Sequence, residues 1–592
     1  MELTCDVECY RNYFLVTVYS IKHKTAKYFE MFNNQNQCDD LTLLRRLLKN
    51  HTIITFNGNN YDIPLIYMFL DGCSNEKLKE TSDGIINGTS KPWSIIKSYK
   101  SFNIDHIDIF DVAPGKATLK IYGGRLQTDT IQDLPLEPSS IIDESQLPLM
   151  RKYCANDTKI TAELYSELSY QIGLRKQMGD ELGTDLRSKG DSNIAETIIL
   201  NKLKELNVDI DAQPYVPDTW YYKAPEFIRF ETAQCRQLLT EYESQKFTLD
   251  NAGHVVFKFS DGKPQRQITI GLTTYTAALG GIHSCEESVC YTAENDYIIE
   301  DCDVTSYYPS TILNNNIYPE HLGIEFIHVY GGIVADRIKA KQNHDKDKAQ
   351  ALKIPINATF GKLSSKYSKL YSPYCSPRVT ITGQLSLLML IERLEDNGIS
   401  VISANTDGIV TYFHKSKKSL KDSIVADWCR VTRYDMEITP YRLIASRDVN
   451  NYVAIKTDNH VKAKGSYADL TDPYNRLRLN PRTPICYTAV RNYLYDGTPI
   501  EQTVKQCTDI RQFLTVAQVN GGAVYDGLKF GKSIRYYYSI YSLYWFERAS
   551  GGKVPMTDES QPCMTLPNKL PADIDYQIYI DLAERYLTEL GV

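Results

Sequence analysis

The sequence predicts a multidomain fold in which an α/β part is followed by an α+β part. Three observations carry this. The chain has 592 residues, too many for one core, and the usual size relation gives roughly four domains. Strand and helix patterns alternate up to about residue 175, as in an α/β domain. Beyond that, strand patterns gather around two aspartate-bearing turns, at Asp303 and Asp407, with helical patterns between them.

The elements follow in order. Residues 13–19 read as a strand paired with the short strand that carries Asp6 and Glu8. Leu41, Leu43, Leu44, Leu47 and Leu48 give a helical pattern over 40–50, and Ile53 to Phe56 a strand ending in the turn signal Asn57-Gly58-Asn59-Asn60. A helix over about 147–172 carries Asp157, and the polar stretch 180–191 reads as a linker. Strands with a turn at Asp261-Gly262 fill 250–275, and a strand over 297–305 runs into Asp303. Two helices over 332–372 join at the charged tip 344–347, and 399–413 reads as a hairpin around Asp407-Gly408. From about 471 the pattern is mostly helical, with a glycine-rich patch at 521–527.

Composition narrows the function class. The apolar share of 42% is ordinary for a soluble globular protein. The 43 tyrosines would suit stacking on bases or sugars, although core and rim roles account for most. A net charge of −7 neither supports nor excludes nucleic acid, because DNA is held by local basic stripes. The 14 cysteines include no C-x-x-C pair, and no histidine cluster completes a zinc site with Cys5 and Cys9 or with Cys285 and Cys290. Free thiols in a reducing compartment are expected. No signal peptide and no run of membrane-spanning length stand out, so a cytoplasmic protein with no membrane partner is expected.

Two sets of residues carry chemistry. Asp6 and Glu8 lie two apart on a strand and face one side. Tyr153 and Asp157 lie four apart on a helix, also on one face, and Asp62 follows the 57–60 turn. Asp6, Glu8, Asp62 and Asp157 can together hold two divalent metals for phosphate hydrolysis, with Tyr153 orienting water. Asn57 and Tyr61 can hold a single-stranded 3′ end. In the second set, Asp303 ends a strand and Asp407 sits at a hairpin tip, a two-carboxylate clamp for nucleotidyl transfer. Lys353, Asn357 and Gly361 recur at one face of a helix. Lys353 can neutralise phosphate, and Gly361 admits a base pair at a helix cost of roughly 1 kcal/mol. Arg337 and Lys341 precede them as further phosphate contacts, and Tyr308 is placed beneath an incoming sugar.

These segments resemble the motifs of family B DNA polymerases. Asp6-Val7-Glu8, Asn57 to Asp62 and Tyr153 to Asp157 resemble the three exonuclease motifs. Residues 303–310 resemble motif A, 353–361 motif B and 405–408 motif C. Gly280-Gly281 resembles the glycine pair between nuclease and palm, and Lys464 to Tyr467 the segment that contacts primer. The resemblance spans about residues 5–470. It implies an RNase H-like exonuclease domain over 1–178, linker and first palm elements over 179–295, and palm over 296–330. Fingers follow over 331–372, palm again over 373–470 and a thumb over 471–592. It also implies metal ligation by Asp303, Asp407 and the Val304 backbone, nucleotide contacts from Ser306, Tyr307, Tyr308, Arg337, Lys353 and Asn357, and DNA contacts from Gly280, Gly281, Gly361, Lys464 and Tyr467. Two Mg²⁺ per site, with Mn²⁺ as an alternative, primer–template DNA, dNTPs and accessory replication proteins are the implied cofactors and partners of a monomer.

The chain departs from the family pattern in places. Motif C has Asn405 for its first Asp and Gly408 for Ser; motif B has Ala358 and Phe360 for Ser and Tyr; motif A has Tyr307 for Leu. The compact layout resembles bacteriophage and mobile-element members. The short spacings from Asp303 to Lys353 and from Asn357 to Asp407 leave no room for the insertions of the protein-primed group, so ordinary primer extension is expected, with protein priming as the minority reading. Asn405 keeps open a second reading, an exonuclease with a degenerate polymerase module. A non-catalytic DNA scaffold is the third.

Overall fold

The computed structural model describes residues 1–36 and 41–592. The chain divides into two compact units. One comprises residues 1–190, 469–486 and 501–581; the other comprises 191–468, 487–500 and 582–592. Among the described residues no helix is long and apolar enough to cross a membrane.

The first unit is built on a six-stranded mixed sheet. Its central strand, β1 (Glu2–Cys9), runs antiparallel to Tyr13–Ser20 and parallel to Thr52–Thr55. The alternation of the strand turns Leu3, Cys5, Val7 and Cys9 into the core and leaves Asp6 and Glu8 on the other face. Three helices complete that face: α1 (Asp62–Leu70) and α3 (Leu147–Glu167) bring Asp62 and Asp157, and α2 (Leu119–Leu126) brings Lys120. Phe14, Ile53, Ile66 and Phe69 fill the core on the opposite side, each burial stabilising by about 1.5–3 kcal/mol. The predicted helix over 40–50 runs Leu41–Asn50; residue 40 lies outside the described residues. The predicted helix over 147–172 is broken at Leu168, and Ser169–Leu182 continues as a separate helix into the expected linker.

The helical reading of 471–592 needs correction. Thr515–Tyr525 and Leu528–Tyr538 form a long antiparallel hairpin within a four-stranded sheet. Asp526 and Gly527 both have positive φ, the two-residue turn that suits a hairpin. The glycine-rich patch was therefore a turn signal, flanked by β-branched and aromatic residues that favour strands. This sheet is held to residues 128–129 of the same unit by Arg535, which is fully buried and donates to the carbonyls of Thr128 and Cys563 at 2.7 Å.

In the second unit the site elements are β2 (Tyr297–Val304), α4 (Glu325–Gln342), α5 (Lys346–Leu363), β3 (Ser400–Asn405), β4 (Gly408–His414), β5 (Met436–Asp448) and β6 (Val461–Ala463). They belong to a ten-stranded sheet in which β2 lies between β4 and β5. Helix Cys375–Asp396, buried along most of its length, contributes Ile381, Leu385 and Leu388 to the core beneath the sheet. The helices α4 and α5 are joined by a short turn capped by Asp345, and the Tyr330 hydroxyl donates to the Ile356 carbonyl at 2.7 Å. The first of them starts at Glu325, earlier than the sequence predicts.

Candidate active sites

In the first unit Asp6, Glu8 and Cys154 present ligand atoms within 4.8 Å of one another. The Cys154 thiol donates to Asp6 at 3.3 Å. Asp62 and Asp157 are buried. Burial and then the charge of Asp157 push the Asp6 carboxyl up to about 7. Glu8 and Asp62 are also raised well above the ordinary carboxylate range, by burial first and then by the charge of Asp6. Asp157 is also raised by burial, against the opposing pull of Lys120. Carboxylates crowded to this degree, with a thiol among them, form a donor set that fits divalent cations, whose charge would relieve the repulsion.

Sequence reasoning missed two residues here. The Lys120 ammonium, carried by α2, is paired with Asp157 and lies 4.3 Å above the Tyr153 ring. Asp108 accepts from the backbone amides of Asn57 and Asn59 at 2.8 and 2.9 Å and so shapes the loop before Asp62. Neither carries a motif signal of its own. Asn57 has a positive φ of 67°, and Tyr61 shares a 2.7 Å hydrogen bond with Ser82. Both predicted 3′-end residues thus have structural partners, Asn57 in Asn60 of the loop and Tyr61 in Ser82 of helix Asn75–Ile86.

In the second unit Asp303 ends β2 and lies in register with Gly408, the residue after Asp407. A Cβ on Gly408 would stand 2.1 Å from Asp303 Oδ1, so glycine at this motif C position makes room for the carboxylate. The Val304 amide donates to the Asp407 carbonyl at 2.8 Å and ties the two acid-bearing segments together. Burial, and then the charge of Asp301, raises the Asp303 carboxyl to about 6; burial also raises Asp407. Two side-by-side oxygen donors of this kind again fit divalent cations.

A groove of about 440 Å³ brings together Asp303, Val304, Ser306, Tyr308, Arg337, Lys341, Lys353, Asn357 and Asp407. Lys341, Lys353 and Asn357 are exposed along it. Arg337 is half-buried, with no carboxylate partner among the described residues; its Nε has no hydrogen-bond partner, and its Nη1 reaches only the Ser306 hydroxyl at 3.5 Å. Burial lowers its pKa. A guanidinium in this state is prepared for an anion. Ser306 takes a left-handed φ of 50° at the start of helix Tyr307–Asn314. The Tyr308 ring packs on Phe360 with centroids 4.6 Å apart. A Cβ on Gly361 would meet nothing within 4 Å, which leaves that helix face open.

Three expected contact residues also have structural partners, and Tyr307 still borders the groove. Tyr307 is buried in the core and donates its hydroxyl to the Gly383 carbonyl, so its side chain is not available to a nucleotide. Tyr467 is fully buried, with its hydroxyl on the Tyr586 carbonyl at 3.1 Å, so its ring is not available to DNA. A Cβ on Gly281 would approach Thr406 Oγ1 to 2.5 Å, so that glycine serves the Asn405–Asp407 turn, whereas Gly280 is open. Lys464 lies beside Asp303, Asn405 and Asp407 in a second small cavity that also holds Asp301 and Lys462, neither of which the motifs revealed.

No family model matches the chain. Among curated proteins it is similar to DNA polymerase 1 of Saccharolobus solfataricus, with 28% identity over 119 residues, which is 20% of this chain and 13% of that protein. The match therefore spans a small part of the relative's length. Among solved structures it is similar to the family B DNA polymerase from the hyperthermophilic archaeon Pyrobaculum calidifontis, at a TM-score of 0.42 and 13% identity, covering 99% of this chain and 77% of that one.

Proposed function

We propose that the chain is a family B-type DNA polymerase that extends a primer 3′ end with dNTPs and carries its own 3′→5′ exonuclease. The observation that carries the polymerase half is the groove that sets Asp303 and Asp407 opposite Arg337, Lys341 and Lys353. Two acids and three cations that have no carboxylate partner among the described residues match the metal-binding and anionic parts of a nucleoside triphosphate. Two divalent cations on the acids, Mg²⁺ or Mn²⁺, would supply activation of the attacking 3′-hydroxyl and neutralisation of the leaving pyrophosphate.

The residues of the chain do the rest. Arg337, Lys341 and Lys353 bind the triphosphate tail and orient the α-phosphate. Tyr308, steadied by Phe360, lies under the sugar and excludes a 2′-hydroxyl. Asn357 and Gly361 line the path of the nascent base pair, and Lys464 holds the primer strand near the acids. At the other site Asp6, Glu8, Asp62 and Asp157 would hold divalent cations that polarise the scissile phosphate, while Lys120 favours the ionised form of Asp157 and Tyr153 orients water. A mismatched 3′ end that frays is the natural substrate of that site, which makes the nuclease a proofreading activity.

The chain passes from helix Tyr307–Asn314 to α4 and α5, and then through Cys375–Asp396 to β3, with no additional domain between. This supports extension of an existing 3′ end over protein priming, in a compact replication enzyme of phage or mobile-element type.

The test is a 5′-labelled primer on a DNA template with Mg²⁺. Wild type should extend with dNTPs and degrade the primer without them. Asp407→Ala should lose extension by about 1,000-fold or more and keep degradation; Asp6→Ala/Glu8→Ala should do the reverse. Degradation without any extension by wild type would instead favour the nuclease with a degenerate polymerase module.

A further inference from the structure

The strand that ends in Asp303 carries a second acid, Asp301, two residues earlier and therefore on the same face. Asp301 is only 6% exposed. Its carboxylate accepts from the Tyr441 hydroxyl and from Lys462 Nζ, the latter at 2.7 Å. The same Nζ lies 3.7 Å from the Asp303 carboxylate. One lysine on β6 thus stands between two acids on β2, bonded to the buried one and within ion-pair reach of the other.

Asn405 borders the same cavity from β3. It is the position at which the resemblance has an aspartate, and here its Nδ2 donates to the Val449 carbonyl at 3.3 Å. Asp301, Asp303, Asp407, Lys462 and Lys464 are the charged residues lining this cavity. With a neutral residue at 405, the only acids there that can hold Lys462 are Asp301 and the two carboxylates of the candidate metal site. A partly buried ammonium favours a carboxylate partner, because leaving its charge unpaired away from water is costly. If Asp301 were neutral, Lys462 would turn to Asp303.

We infer that Asp301 supplies the carboxylate absent at position 405: it is a positioning residue that keeps the Lys462 hydrogen bond on itself, so that Asp303, only within ion-pair reach of that ammonium, stays available to a cation. The acid has moved from one strand of the sheet to another while still lining the same cavity. The inference deepens the polymerase reading and rests on it for its consequence in primer extension. The competition between Lys462 and a cation for Asp303 is measurable without it.

The experiment uses the full chain in the Asp6→Ala/Glu8→Ala background, so that only the second site binds metal. Mn²⁺ affinity is read by calorimetry, and primer extension is read against Mg²⁺ concentration. Asp301→Asn should weaken Mn²⁺ binding about tenfold and raise the Mg²⁺ needed for half-maximal extension by a similar factor, with little change at saturating Mg²⁺. Adding Asn405→Asp should restore both values to within about threefold of the parent. A merely structural ion pair would not be rescued from the other strand. Lys462→Met, with Asp301 intact, should tighten Mn²⁺ binding, because the competing ammonium is gone; this arm serves if Asp301→Asn fails to fold. Parental Mn²⁺ affinity in Asp301→Asn, no rescue by Asn405→Asp in a folded double variant, or weaker binding in Lys462→Met would each overturn the inference. If the Mn²⁺ results hold but the parent never extends a primer, the polymerase reading fails and the role of Asp301 stands.

Discussion

The two acidic sites use similar residues in opposite surroundings. In the first unit Asp62 and Asp157 are 4% and 5% exposed, Lys120 is paired with Asp157, and the acids press on one another. In the second unit the Asp303 side chain is 52% exposed and faces a groove lined by Arg337, Lys341 and Lys353. The difference suits the proposed substrates. A single frayed strand end brings little charge and can be hydrolysed in a nearly dry site. A triphosphate with a duplex behind it needs an open groove and positive charge of its own.

The comparison can be broken most directly at Lys120, which is paired with one of the candidate metal-binding acids themselves, whereas Lys462 in the second site is hydrogen-bonded to Asp301. Lys120→Met should lower exonuclease turnover by about 100-fold, the value of one buried charge-assisted contact, and leave extension unchanged. Part of the loss should return at higher pH, because without the ammonium Asp157 is raised further and ionises later. Equal loss in both activities, or none, would remove Lys120 from the site.

A smaller effect is expected at Tyr308. Its alanine variant should incorporate ribonucleotides about 30-fold better relative to deoxynucleotides, read as the ratio of kcat/KM, with degradation unaffected. An unchanged ratio would assign sugar discrimination to another residue.

The smallest effect separates the sites by pH. Asp6 is raised to about 7 and Asp303 to about 6. Cation binding must displace the proton on each, so affinity rises with pH up to the raised value and levels off above it. At limiting Mg²⁺, lowering the pH from 7 to 6 should cut degradation several-fold to about tenfold while extension falls less. A parallel fall in both would mean that the difference in burial does not reach the chemistry.

Much of both sites was legible in the sequence, because each acid sits on a short regular element with a clear period or turn. The two-residue alternation of Asp6 and Glu8, the four-residue step from Tyr153 to Asp157 and the Asp407-Gly408 turn all appear in the structure as read. Lys120, Asp108, Asp301 and Lys462 were not legible, since long-range pairing places them and no local pattern marks them. The directions of the Tyr307 and Tyr467 rings were not legible for the converse reason, although Tyr307 still borders the groove. Both residues fall within motif-like strings, but the helix and the turn that carry them direct their rings into the core. The strands over 515–538 were missed because the glycine patch was not taken as a hairpin turn.

The central claim is that one chain both adds and removes nucleotides at a primer end through separate acid sites. The most direct test supplies primer–template, Mg²⁺ and only the next correct dNTP, and measures release of the corresponding monophosphate over many cycles. The account predicts steady, template-dependent conversion of triphosphate to monophosphate by wild type, abolished by Asp407→Ala and equally by Asp6→Ala/Glu8→Ala. No conversion by wild type, or conversion that survives either substitution, would contradict it.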